Sequence, residues 1–214
     1  MGTWDVMSTH YVEVKGPPPG ISSFTKIRLG WISPEQVLLV SPGETRGAFL
    51  SPLGRGGDNL VIKIPLPNGK YYLVENRQKI GFDQVQPDSG ILVLKVDPEA
   101  QEGSGTARIM DADQGSANFS HATFRLDREN RQIFVDKENR LAVIPLWSQG
   151  ENQGVLVTPA EKGEDALKAA QTIVELWRRF PQPGEKQKPI IEGCLESFKR
   201  FDFTRSYQIG KQLL

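Results

Sequence analysis

A mainly β fold is predicted: an antiparallel β-sandwich-like domain with a short N-terminal helix and a C-terminal amphipathic helix. Three observations point there. Short apolar runs recur between Pro- and Gly-rich breaks, which the chain's 15 Pro and 21 Gly supply. One Pro67-Asn68-Gly69 turn separates two alternating runs in the manner of a hairpin. A sustained helical period appears only late, after Thr158. These features divide the chain into an N-terminal segment, 1–34, a sandwich-like region, 35–160, and a helical extension, 161–214.

In chain order, Gly2 to Tyr11 shows no period, and Gly16-Pro17-Pro18-Pro19-Gly20 forces an extended connector. Ser22 or Ser23 can cap a short helix in which Phe24, Ile27 and Arg28 fall at helical spacing, with Gly30 ending it. Strands follow at Gln36 to Val40 and at Leu60 to Leu66, where Pro65 marks a sheet edge or a strand's end. Lys70 to Asn76 returns as the hairpin partner. Ile91 to Val96 is nearly continuously apolar, the pattern of a central strand covered on both faces. Thr106 to Ile109, Gln132 to Val135, Leu141 to Trp147 and Val155 to Thr158 bring the total to about eight strands. Gly163 to Phe180 is the clearest helix, with Ala166, Ala170, Ile173, Val174 and Trp177 on one face. Its acidic start and basic end suit the helix dipole. Pro181-Gln182-Pro183-Gly184 stops it, and a further small helix is expected around Cys194 to Phe201.

Basic and acidic residues both total 26, so no overall field recommends nucleic acid, an anionic membrane or an acidic substrate as partner. No apolar run approaches the roughly 18 residues of a membrane span. The single cysteine, Cys194, excludes an internal disulfide and reads as a buried, inert thiol.

Chemistry-bearing patterns are sparse. The histidines are His10 and His121, which do not provide the paired spacing of a zinc helix. Asp111-Ala112-Asp113-Gln114-Gly115 opens like a calcium loop, but the twelfth position holds Ala122 where a bidentate Glu is needed, so an acidic turn is expected. Asp83, Asp88 and Asp97 could gather near strand ends. Gly103-Ser104-Gly105 falls short of a nucleophile elbow, and Gly54 to Gly57 lacks a phosphate-loop pattern. Tyr11, Trp31, Tyr71, Tyr72, Trp147 and Trp177 either stack on sugar rings or, as their apolar neighbours suggest, pack in the sheets.

Two ordered blocks carry a resemblance. The first is Gly2-Thr3-Trp4-Asp5-Val6-Met7-Ser8, followed by the Pro-rich connector and Phe24-Thr25-Lys26-Ile27-Arg28-Leu29-Gly30-Trp31-Ile32. The second runs from Tyr71-Tyr72-Leu73-Val74-Glu75-Asn76-Arg77-Gln78 through Gly81-Phe82-Asp83 to Gly90-Ile91-Leu92-Val93-Leu94-Lys95-Val96-Asp97. Together they resemble the immune inhibitor A-like zinc metallopeptidases over residues 2–97. The resemblance implies that 1–34 is a remnant of a catalytic domain, that Trp4, Asp5 and Met7 form its Met-turn, and that Glu75, Asn76 and Arg77 form a structural motif of the β-rich part. In that family a His-Glu-x-x-His helix, which would precede the Met-turn, carries zinc and the general base. This chain contains no such motif, so no catalytic or metal-binding residue carries over and no cofactor is expected in it. Zinc would come only with an upstream catalytic segment, which would also be its partner, with a protein or peptide as substrate; the family further suggests secretion. Glu75 and Arg77 share a strand face, which fits an ion pair. The leading expectation is thus a post-catalytic portion, structural or substrate-presenting and inactive alone. A free-standing β-sandwich binding module for protein or carbohydrate is the alternative.

Overall fold

The computed structural model describes residues 1–8, 18–101 and 103–214. His10 and Tyr11 lie outside the described residues, as do Gly16 and Pro17 of the connector.

The described chain forms nine strands in two sheets. The first sheet has the order β1-β3-β4-β5-β6: β1 is Val37–Leu39, β3 Val61–Pro65, β4 Tyr71–Arg77, β5 Gly90–Val96 and β6 Ala107–Ile109. The second has the order β2-β9-β8-β7: β2 is Arg46–Leu50, β7 Phe134–Asp136, β8 Leu141–Gln149 and β9 Asn152–Pro159. All neighbours are antiparallel except β1 and β3. The fold is therefore mainly β and sandwich-like. A short α1, Ser23–Arg28, precedes the sheets, and α2 (Ala160–Arg179), α3 (Lys188–Lys199) and α4 (Phe203–Gly210) follow them.

The hairpin of β3 and β4 turns at Asn68 and Gly69, whose φ values of 63° and 71° are the left-handed pair such a turn requires. Pro65 is the last residue of β3 and pairs with Tyr71; the parallel neighbour β1 reaches only Lys63, so the missing Pro N–H interrupts no ladder there. One strand, β2, was not anticipated. Arg46-Gly47-Ala48-Phe49-Leu50 neither alternates nor forms an apolar run, and it is a strand because it pairs with β9 from Arg46↔Val157 to Leu50↔Gln153.

Three cores stack through the molecule. Between the sheets lie Ile62, Ile64, Tyr72, Val74, Ile91 and Val93 from one side, facing Leu50, Val143, Val155 and Val157 from the other. The outer face of the second sheet, with Ile144, Leu146 and Leu156, is covered by α2, α3 and α4. The outer face of the first sheet, with Val61, Leu73, Leu92, Leu94 and Val96, is covered by Trp4, Ile32 and Leu53. β5 is thus buried on both faces, as its unbroken apolar run implied.

Helix α2 starts three residues before the expected Gly163 and buries Ala166, Ala169, Ala170, Ile173 and Leu176. Trp177 sits at the edge of that stripe rather than inside it. Instead of one small helix around Cys194 to Phe201 there are two. The chain reverses at Phe201, whose φ is 61°, and Asp202 caps α4 by accepting from the Arg205 amide. The two helices fold because α2 offers Ile191, Cys194, Phe198 and Phe203 an apolar surface.

Candidate functional site: a buried charged junction

Alternation along β4 places Tyr72, Val74 and Asn76 toward the sandwich interior, and Leu73, Glu75 and Arg77 on the outer face. An outer face of a two-layer sandwich ordinarily meets water. Here Glu75 and Arg77 have no exposed surface, because the N-terminal segment covers them.

Arg77 organises the site. Its Nη1 donates to Glu75 Oε1 at 2.8 Å, its Nε to Asp83 Oδ2 at 3.0 Å, and its Nη2 to Asp83 Oδ1 at 2.9 Å and to the Trp4 carbonyl at 3.2 Å. The fork on Asp83 is the bidentate geometry that guanidinium favours. The Trp4 ring lies beside it, 5.9 Å from the guanidinium carbon to the ring centroid. Two carboxylates and a carbonyl thus satisfy a cation that burial would otherwise make costly.

The second Glu75 oxygen accepts the Ser23 amide at 2.8 Å, at the first residue of α1. Asp5, 2% exposed, serves the same end of that helix: Oδ2 accepts from the Ser22 amide and hydroxyl and from Thr25 Oγ1, while Oδ1 accepts from the Met7 amide at 2.8 Å. Ser22 is the cap, accepting from the Thr25 amide. Two buried carboxylates therefore complement the positive end of α1. The bond to Met7 also closes the turn after Trp4.

Trp4 is fully buried and donates its indole N–H to the Phe119 carbonyl at 2.8 Å. Asn118 and Phe119, with φ of 56° and 58°, hold the receiving turn in left-handed backbone. Asn76, on the opposite face of β4, donates to the Leu50 and Glu151 carbonyls at 2.9 and 3.1 Å and so links the two sheets. Met7, by contrast, is 75% exposed.

Lys26 and Asp83 complete the junction. Lys26 Nζ donates to the Leu53 carbonyl at 2.7 Å, and burial holds its ammonium below its ordinary value, with Asp83 opposing that shift. Burial likewise pushes the Asp83 carboxyl up, with the Arg77 guanidinium opposing it. Gln86 Nε2 donates to Asp83 Oδ1 at 2.9 Å. No Cβ fits at Gly20, since it would overlap Asp83 Oδ1.

The three carboxylates of this junction are engaged by amide, hydroxyl and guanidinium donors, so their oxygens do not form a donor set for zinc. Among the described residues no three His, Cys, Asp or Glu side chains are gathered as metal ligands. Asp83, Asp88 and Asp97 do not converge: Asp83 serves Arg77, Asp88 accepts from Thr123 and Arg131, and Asp97 pairs with Lys70. The Asp111 and Asp113 carboxylates accept the Asp113 and Gly115 amides, an acidic turn of local bonds. Cys194 is buried against the Ser206 carbonyl, 3.2 Å away, and burial raises its thiol pKa. Tyr72 is in the sandwich core, Trp147 packs edge-on to Trp177 at 4.9 Å, and Trp31 is exposed.

Of the motif residues singled out in sequence, Trp4, Asp5, Glu75 and Arg77 thus fall into one junction, while Asn76 faces the other sheet and the Met7 side chain is exposed. Ser22, Ser23, Lys26 and Gln86 were not singled out as members. A buried strand arginine calls for a second carboxylate, which is the signal that could have drawn attention to Asp83; the Asp5 to Ser22 contact left no trace in spacing. Comparison with protein-family models, with curated proteins and with solved structures returned no match.

Proposed function

We propose that this chain is the post-catalytic, β-rich portion of an immune inhibitor A-like zinc metallopeptidase, with a structural or substrate-presenting role and no peptidase activity by itself. One observation carries the reading. The two sequence blocks that bear the resemblance meet where Arg77 donates to the carbonyl of Trp4, 73 positions earlier in the chain. The turn at Trp4, Asp5 and Met7 is held by the Arg77 bond to the Trp4 carbonyl and the Asp5 bond to the Met7 amide, while the Met7 side chain is exposed. Such a platform suits a segment that must be held against a neighbouring catalytic unit. Zinc and the hydrolytic chemistry belong, on this reading, to residues outside 1–214.

The test has two arms. The purified chain should give no chelator-sensitive cleavage of casein, and the coding sequence upstream of Met1 should contain an in-frame His-Glu-x-x-His. Producing that upstream segment together with this chain should yield chelator-sensitive cleavage. Cleavage by the chain alone, or an upstream sequence lacking the motif, overturns the proposal.

A further inference from the structure

Away from the junction, a cavity of about 350 Å³ opens where the ends of β5 and β8 approach α2. That size is at the small end of ligand pockets. Its shape depends on an irregularity in the second sheet. The β8–β9 ladder pairs Pro145 with Val155 and then Ser148 with Gln153, so Leu146 and Trp147 together face Gly154 alone. A Cβ at Gly154 would stand 2.8 Å from the Trp147 carbonyl, so the bulge requires glycine there.

A second glycine shapes the opposite wall. Gly90, with φ of 145°, lies under Arg125, and a Cβ there would stand 2.8 Å from Arg125 Cγ and 2.9 Å from the Phe124 carbonyl. The Arg125 stem can therefore lie flat on the start of β5 and present its guanidinium at the cavity. Arg125 forks onto Asp127 at 2.9 and 2.8 Å and has Asp88 at 3.7 Å. Its charge is already answered, so the site carries no unspent cation for an anionic ligand. What it does offer is the remaining capacity of the Arg125–Asp127 pair, the Ser148 hydroxyl oxygen, whose proton goes to Gln153 Oε1, and the Gln78 amide, whose Nε2 also donates to Asn76; the Gln153 amide is spent on Ser148 and the Leu146 carbonyl. Trp147 and the apolar side chains of Leu126, Leu146 and Val174 complete the lining.

We propose that this cavity binds a neutral saccharide, about one hexose ring deep. Vicinal hydroxyls both donate and accept, so they match a carboxylate–guanidinium pair in which each partner keeps spare hydrogen-bonding capacity. The C–H faces of a sugar ring suit the apolar side chains of Leu126, Leu146 and Val174, beside Trp147, whose ring packs on Trp177 and Phe198. The site does not rest on the metallopeptidase reading: it uses none of the junction residues and stands whether or not an upstream segment exists.

The experiment is an NMR titration of the full chain with maltose, cellobiose, lactose and N,N′-diacetylchitobiose, with a sulfated disaccharide as the charged comparator. At least one neutral sugar should shift the Gly90 and Gly154 amides and the Trp147 indole N–H saturably, at the millimolar strength expected of a small polar ligand. Asp127→Ala, at an exposed rim position, should weaken that binding about tenfold, the loss of a charge-assisted bond. Ser148→Trp, also exposed, should abolish it by filling the mouth, with the thermal midpoint unchanged in both variants. The proposal fails if none of the four sugars gives saturable shifts, if the shifts lie elsewhere, or if the sulfated sugar binds more tightly. It fails equally if Asp127→Ala leaves the affinity of a bound sugar unchanged.

Discussion

Arg77 is the residue on which the N-terminal layer depends, because it neutralises Glu75 and Asp83 and grips Trp4 in one guanidinium. Arg77→Met keeps the length and apolar stem but leaves two carboxylates buried without their cation. The expected loss is about 3–5 kcal/mol of unfolding free energy, read by urea denaturation. Adding Glu75→Gln and Asp83→Asn to Arg77→Met should recover part of that loss, since the uncompensated charges would be gone. A triple variant less stable than the single one would contradict the electrostatic account. Trp4→Phe preserves ring burial but forfeits the bond to the Phe119 carbonyl, for about 1 kcal/mol. Asp83 adds a pH signature. Burial raises its carboxyl above the ordinary 3.8 in the folded state, the Arg77 guanidinium acting against that rise. The folded state then holds the proton more tightly than the unfolded chain, so this contribution to stability is full below 3.8 and is lost as pH rises through the folded value. The stability of the native chain minus that of Asp83→Asn should therefore fall across that window; a difference that rises with pH would refute the assignment.

At the scale of elements, legibility followed from how local each cause was. The β3–β4 hairpin could be read because Asn68 and Gly69 specify the turn themselves. β5 was equally plain, since an apolar run buried on both faces carries its own signal. β2 was not, because Gly47 and Arg46 suggest no strand until β9 supplies the partner. The pairing of Glu75 with Arg77 was readable from strand alternation, whereas the burial of that outer face was not: it is imposed by Trp4, some 70 residues earlier in the chain. The α3–α4 pair was hidden for the same reason, its apolar face having meaning only against α2. That packing is close at Gly210, where a Cβ would overlap Thr172 Cγ2 and stand 3.2 Å from Cys194 Sγ. Gly210→Ala should therefore destabilise the chain by about 1–3 kcal/mol, despite alanine's better helix propensity. A thermal midpoint at or above that of the native chain would show that α4 can shift without cost.

Across the whole molecule, each layer shares a strand with the next, and that sharing governs how it should unfold. β4 sends Tyr72 and Val74 into the sandwich core and Leu73 into the N-terminal one. β8 and β9 send Val143, Val155 and Val157 into the sandwich core and Ile144 and Leu156 toward the helices. Removing any one layer exposes the back of a strand that another layer needs, so the parts 1–34, 35–160 and 161–214 should not melt separately. The tryptophans allow a direct check. Trp4 and Trp31 report on the N-terminal layer, and Trp147 and Trp177 on the helical one. Replacing one pair at a time with Phe gives two variants, each fluorescing from a single end. In each variant the fluorescence transition in urea should coincide with the loss of helical circular dichroism, as one cooperative unit requires. Should the N-terminal tryptophans respond at distinctly lower urea than the dichroism of the same variant, the junction around Arg77 would be a detachable strap and the shared strands would not couple the layers.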